Sequence, residues 1–303
     1  MKKITLLFLV LVTTLTTAFA EPEAAKNRYT HTYDFRDFTA LSVSHAFKVD
    51  LTFEDRYEVS IDVPDFIEPY LIVSQNGEKV RLDLERLPND IQLKLNDANS
   101  SLMARVSVPK LTRLQLSGAS KVTASGRLVL GSETLYLQLS GATELYGLVA
   151  EGRDKLDLKI SGASKADFEA AFNKLEVDLS GASKLRYGGD ADQLEIELSG
   201  ASGAQFDGNY AETDAEISGS SKLTMTGDTK NLSLELSGAT KFESLGKTAR
   251  ASVALSGASK AKLSVSEKLQ YALSGVSTLR VKNLGSAKLS GECSRGSKID
   301  YLK

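Results

Sequence analysis

One short phrase, Leu-x-Leu-Ser-Gly-Ala-Ser-Lys or a close variant, occurs ten times. Its Ser-Gly begins at Ser117, Ser140, Ser161, Ser180, Ser199, Ser218, Ser237, Ser256, Ser274 and Ser290, at intervals of 23, 21, 19, 19, 19, 19, 19, 18 and 16 residues. A near-constant period of this length demands one small supersecondary unit stacked many times, each copy burying the open face of its neighbour.

Before each Ser-Gly the chain alternates, as in Leu175-Glu176-Val177-Asp178-Leu179 and Leu194-Glu195-Ile196-Glu197-Leu198. A period of two puts the aliphatic side chains on one face of a strand and the charges on the other. Ser-Gly-Ala-Ser then reads as a corner, because Gly tolerates a positive backbone dihedral and Ser bonds nearby backbone. After it a second apolar pair recurs (Leu185 with Tyr187, Ala204 with Phe206, Leu223 with Met225, Ala261 with Leu263). A polar stretch follows, often with another Gly (Gly126, Gly188, Gly208, Gly227, Gly246). Helical solenoid repeats need roughly 33 residues or more, and leucine-rich repeats need an Asn ladder the phrase lacks. The expected fold is all-β: a parallel β-helix, or solenoid, with rungs of about 19 residues and an irregular N-terminal β cap that contains a hairpin.

Stacked rungs put equivalent residues above one another at about 4.8 Å. The residue two after the repeat Ser is small in most copies, from Ala119 to Ala258, as an inward-facing corner position would require. The next is Ser or Thr in nine of ten copies, from Ser120 to Ser277, with Cys293 as the exception. Hydroxyls in such a column can bond along the stack. Both columns read as structural.

Residues 1–20 have the form of a secretory signal: Lys2 and Lys3, an apolar run from Ile4 to Val12, and Ala18-Phe19-Ala20 as cleavage site. Its removal would change the net charge from −2 to −4. That run is too short for a membrane span and no later segment is long enough. No Cys lies near the cleavage site, which argues against a lipoprotein, so the expected location is the periplasm, the outer cell surface or the medium. Cys293 is the only cysteine, so no intramolecular disulfide forms in an exported chain. With 37 basic and 39 acidic residues there is no case for a nucleic-acid partner.

Residues 21–37 read as a polar leader, 38–110 as the irregular β region and cap, and 111–303 as the regular array. A degenerate copy opens the cap region: Leu41-Ser42-Val43-Ser44-His45-Ala46-Phe47-Lys48-Val49 has His at the Gly position and Phe at the second Ser. Strand-like runs follow at Tyr57 to Val63, Leu71 to Ser74, Val80 to Leu84, Ile91 to Leu95 and Ala104 to Val108. Asn76-Gly77 between two of them is a strong hairpin signal.

The Phe-x-x-Leu-x-Val opening strand, the hairpin from Leu71 to Leu84, and the Val108-Pro109 strand leading into Leu114-Gln115-Leu116-Ser117-Gly118-Ala119-Ser120 resemble the bacterial family called putative auto-transporter adhesin, head GIN domain. The resemblance covers about residues 38 to 285. It implies a right-handed, largely β-helical envelope protein with an adhesive role, and brings no catalytic residues with it.

Lys follows the corner at Lys121, Lys165, Lys184, Lys222, Lys241 and Lys260, while Glu144, Gly203, Thr278 and Ser294 interrupt the row. A column of ammonium groups several rungs long would track an anionic glycan or lipid phosphate. Alternatively it keeps a corner soluble and discourages lateral pairing. Outward strand positions carry Asp157, Glu176, Asp178, Glu195, Glu197, Asp214, Glu216 and Glu235, which want counter-ions, either lysines or Ca²⁺. The calcium-binding β-roll nonapeptide does not occur, so diffuse solvation is the simpler account.

Enzymatic signals fail singly. Catalysis by a Ser-Lys pair needs one desolvated site, not a row of exposed copies. Leu245-Gly246-Lys247-Thr248 lacks the earlier Gly of a phosphate-binding loop. His31, His45 and Cys293 make no zinc site, and no cofactor is implied. The expectation is a non-catalytic, adhesin-like envelope protein that binds an anionic glycan or an envelope or host surface protein. A polysaccharide-active β-helix enzyme (lyase or hydrolase) and a periplasmic interaction scaffold are the alternatives. Tyr136, Tyr146, Tyr187, Tyr210 and Tyr271 are possible sugar-stacking rings, although Tyr187 and Tyr271 fall at inward positions.

Overall fold

The computed structural model describes residues 27–95, 100–285, 287–294 and 296–302. The secretory signal expected at 1–20 lies outside them. The fold is a parallel β-solenoid of about ten turns. Each rung contributes one strand of the Leu-x-Leu type, such as Lys174–Leu179, to a first face, turns through the Ser-Gly corner, and contributes a second, such as Lys184–Gly188, to a second face. Both types pair in parallel with the equivalent strands above and below, Leu175 with Leu194 and Leu185 with Ala204. Alternation sets the inside: Leu175, Val177, Leu179, Leu185 and Tyr187 are all buried, and the apolar residues from Phe38 to Ala287 form one continuous core.

Within the corner, Gly200 has φ +71° and a Cβ there would lie 2.6 Å from the carbonyl oxygen of Gly181 in the rung below. Glycine is required on both counts. The amide of Ala201 donates to that same oxygen at 2.7 Å, so successive corners are hydrogen-bonded.

The small-residue column does not face inward as expected. Ala119 and its equivalents are exposed, and the Ser or Thr that follows points inward, with Ser120, Thr143, Ser164 and Ser183 fully buried. Most of these inward hydroxyls are satisfied locally, Ser277 being unpartnered among the described residues: Thr143 bonds to Ser164 (3.0 Å), Ser202 to Ser221 (3.2 Å) and Thr240 to Ser259 (3.1 Å), while Ser183 donates to the carbonyl of Ser180 (2.7 Å). Space for the turn comes from the Gly, not from the Ala.

The last corner also moves. Ser290 and Gly291 lie inside the strand Lys288–Cys293, where Leu289 pairs with Leu269 and Cys293 with Leu273. The turn includes Ser294, Gly296 and Ser297, with the amide of Ser294 on the carbonyl of Leu273 (2.9 Å) and Gly296 at φ +94°. Ser297 then occupies the hydroxyl column, and Cys293 is no exception to it. In the distal corner the stacked glycine is Gly189, not Gly188, because it is Gly189 that faces Gly208.

The degenerate copy is a rung of its own. Ala40–Val43 lies between Lys79–Leu84 and Arg113–Leu116, and Phe47–Phe53 between Leu102–Val108 and Lys121–Gly126, all in parallel. From this rung the chain leaves to build most of the cap beneath it, and it returns above the rung at residue 111. His45 takes the corner at φ +60°, Phe47 fills the inward position, and the amide of Ala119 donates to the carbonyl of His45.

In the cap, Leu71–Asn76 and Lys79–Leu84 form the expected hairpin, turning at Gly77 with φ +57°. Glu58–Pro64 is antiparallel to Leu102–Val108 and to Arg28–Tyr33, so the stretch read as a leader holds a strand. Ile91 to Leu95 is not a strand. Asn89–Leu95 is a short α-helix with only Ile91 buried and Leu93 open to solvent. It pairs with no strand, so its backbone bonds close within the segment, beginning with Gln92 onto Pro88 (2.9 Å).

Candidate functional surface

The first outward residue of each second-face strand falls in one column. Lys121 is in register with Glu144, Glu144 with Lys165, Lys165 with Lys184, Lys184 with Gly203, Gly203 with Lys222, Lys222 with Lys241, and Lys241 with Lys260. All six lysines singled out from the sequence are thus brought to one exposed line over eight rungs, which Glu144 and Gly203 interrupt. The line is longer than spacing alone implies. Lys48 sits below Lys121, and Lys298 stands above Thr278. Lys48 is visible in the degenerate copy as the residue after Phe47, and Lys298 is hidden by the displaced last corner.

Neighbours tune parts of the line. Glu144 lies 3.4 Å from Lys121 and 3.6 Å from Lys165. Lys241 and Lys262 flank Glu243 at 3.6 and 3.0 Å, and the hydrogen bond from Lys262 with the charge of both lysines holds that carboxyl below the ordinary range. Lys184, Lys222 and Lys260 have no ion-pair partner among the described residues.

On the first face the outward acids form two columns. Asp157, Glu176, Glu195 and Asp214 are mutually in register, as are Asp178, Glu197, Glu216 and Glu235. The first column is braced by Lys155 and Lys174. Lys155 lies 2.7 Å from Glu176, and Lys174 lies 2.9 Å from both Glu176 and Glu195; hydrogen bonds from these two lysines keep the Glu176 carboxyl low. The second column is exposed and has no ion pair among the described residues. None of the six lysines reaches a first-face carboxylate, because the corner turns the two faces apart. Among the described residues no three His, Cys, Asp or Glu side chains converge as metal ligands would.

The other singled-out residues have structural settings. Tyr187 and Tyr210 are buried, their hydroxyls donating to the carbonyls of Ala170 and Gly189, and burial pushes both phenols far up. Tyr210 is therefore core and not a sugar platform. Tyr136 is half-exposed under the guanidinium of Arg113 (4.3 Å), and Tyr146 lies beneath the ammonium of Lys121 (5.0 Å). Gly246 and Lys247 belong to the distal corner. There Asp190 accepts the amide of Asn209 (2.7 Å), Asn209 that of Asp228 (3.0 Å), and Asp228 that of Lys247 (2.8 Å). This Asx ladder was missed because the side chains alternate Asp, Asn and Asp among other polar residues. His31 stacks on Tyr29 and meets Tyr33 edge to face, far along the chain from Cys293, which is exposed on the last rung.

His45 has the most constrained setting on this surface. Its Nδ1 lies 2.7 Å from Oδ1 of buried Asp83. Burial acts to raise the Asp83 carboxyl, but hydrogen bonds from Ser44, Arg81 and the Leu84 amide, with the Arg81 charge, hold it below its ordinary range. A buried carboxylate thereby anchors the first corner, directly below the start of the lysine line.

In sequence, residues 37–212 and 190–285 match the family described as putative auto-transporter adhesin, head GIN domain. No curated protein matches the chain. Among solved structures, a protein described as a putative adhesin from Parabacteroides distasonis aligns over 92% of this chain and 98% of its own, at 14% identity and TM-score 0.55. A putative adhesin from Parabacteroides merdae aligns over 92% and 97%, at 15% identity and TM-score 0.48. A protein from Parabacteroides distasonis described as a putative lipid binding protein aligns over 92% and 98%, at 11% identity and TM-score 0.49. At such identities the likeness to the first of these is one of fold. Among the described residues no helix is long and apolar enough to cross a membrane.

Proposed function

Because the chain belongs to the family described as putative auto-transporter adhesin, head GIN domain, we propose that it is a non-catalytic, adhesin-like protein of the cell envelope, exported by its N-terminal segment. Its recognition surface is the lysine line, and its ligand class is an extended anionic glycan.

One observation supports this reading above the others: the six lysines form a single exposed column with the pitch of the solenoid. Charges fixed one or two rungs apart on a rigid scaffold are preorganised, so a repetitive anionic polymer laid along them loses little further entropy on the protein side. Each exposed contact is weak and screened by salt, and affinity builds with their number. Solubility alone asks for no alignment of charge over successive rungs.

The test compares two triple variants for retention on immobilised dextran sulfate and on a polyuronate. Lys222→Gln, Lys241→Gln and Lys260→Gln together should weaken retention much more than Lys79→Gln, Lys230→Gln and Lys288→Gln together. Equal retention by both would reduce the column to a solubility feature.

A further inference from the structure

The solenoid carries opposite charges on adjacent faces at one and the same pitch. On the first face Asp178, Glu197, Glu216 and Glu235 stand on four consecutive rungs, exposed and without an ion pair among the described residues. On the second, Lys222, Lys241 and Lys260 stand on three consecutive rungs. Like charges stacked at about 4.8 Å repel. The corner keeps the two columns from neutralising each other within one molecule. A second copy of the chain is free of that restriction.

We propose that the carboxylate column of one copy docks on the lysine column of another, so that solenoids associate side by side. The inference rests on the reading of the lysine column as a recognition surface, and names a second copy of this chain as a partner of that surface. Pitch is the argument for this occupant. Two identical solenoids advance by the same distance per rung, so once one carboxylate meets one lysine, the following pairs come into register together. A slip by whole rungs keeps most pairs matched. Both surfaces are sheet faces with their backbone groups already bonded within the sheet, so the contact is made by side chains and is weak and salt-sensitive. Because the two surfaces differ, the contact is heterologous: each added copy leaves one acidic and one basic face free, and association is open-ended instead of closing at a dimer.

Sedimentation velocity on the intact purified protein tests this. At low ionic strength the weight-average sedimentation coefficient should rise with concentration, and the rise should vanish at high ionic strength or when soluble dextran sulfate occupies the lysines. Two charge-reversed variants are then made. One carries Asp178→Lys, Glu197→Lys, Glu216→Lys and Glu235→Lys; the other carries Lys222→Glu, Lys241→Glu and Lys260→Glu. Each alone should stay monomeric, and an equimolar mixture should associate. Circular dichroism confirms folding, and Asn or Gln replacements serve if a reversal disturbs it.

Retention on dextran sulfate separates the two claims. The acid-face variant should keep it and the lysine variant should lose it. A wild-type protein that is monomeric at every ionic strength while retention behaves as expected would overturn self-docking and leave the lysine surface standing. Retention by the lysine variant would overturn the surface itself. Association that survives reversal of the acid face would overturn the proposed contact.

Discussion

His45 Nδ1 lies 2.7 Å from Oδ1 of Asp83, and this pair holds in a left-handed turn (φ +60°) a residue that stands where later corners have glycine. His45→Gly would remove backbone strain of about 1 kcal/mol and a charge-assisted hydrogen bond of about 1.5–3 kcal/mol. Loss of the bond outweighs relief of the strain. Urea melts should show a net loss of about 1 kcal/mol, and a stabilised variant would show that strain dominates the corner.

Asp83 also sets an acid limit on stability. Its folded carboxyl is held below the unfolded value, so its contribution is fully present above about pH 4–5 and is lost as pH falls through the depressed folded value. Asp83→Asn should cost about 2–3 kcal/mol at neutral pH, since it weakens a buried bonded charge. Its deficit against wild type should shrink in melts taken progressively from pH 5 toward pH 2. A deficit that grows on acidification would reverse the assignment.

Ile196 is buried and Glu197, the next residue, is exposed. Ile196→Asp places an unpaired charge in the core at a cost of several kcal/mol. Glu197→Ala should change stability by no more than about 0.5 kcal/mol. Equal losses in denaturant melts of the two variants would contradict the orientation of the whole first face.

The corners offer a finer contrast. Gly200→Ala meets both a left-handed φ and the Gly181 carbonyl oxygen at 2.6 Å, and should cost more than about 2 kcal/mol. Ser202→Ala removes bonds to the Ser199 carbonyl and Ser221, at about 1 kcal/mol. Ser277, whose buried hydroxyl has no partner among the described residues, should tolerate Ala without loss. A Ser277→Ala penalty as large as that of Ser202→Ala would show that the hydroxyl column acts through packing.

What could be read from residues alone follows from how local each signal is. Rung length, the Leu-x-Leu inside and the Lys line depend on spacing within one repeat, and Leu194, Leu198, Lys222 and Lys241 all fall where alternation and period put them. The displaced corner at Ser294 is hidden because Ser290-Gly291 imitates the phrase inside a strand, and only the pairing of Cys293 with Leu273 separates the two. The outward turn of Ala119 is not legible in the repeat, because a small residue fits either side of a tight bend. Ile91 to Leu95 alternates like a strand yet coils, since no sheet edge is offered to it. Asp190, Asn209 and Asp228 acquire a role only from stacking, which no single repeat displays.

The salt dependence of binding to dextran sulfate across a stepwise series most directly tests the lysine column as a multivalent surface. The series is Lys241→Gln, then Lys222→Gln added, then Lys260→Gln added. If the column acts as one array, each step should lower affinity and flatten the decline of log affinity with log ionic strength, because fewer screened contacts remain. Affinity and slope unchanged through the triple variant would contradict the account.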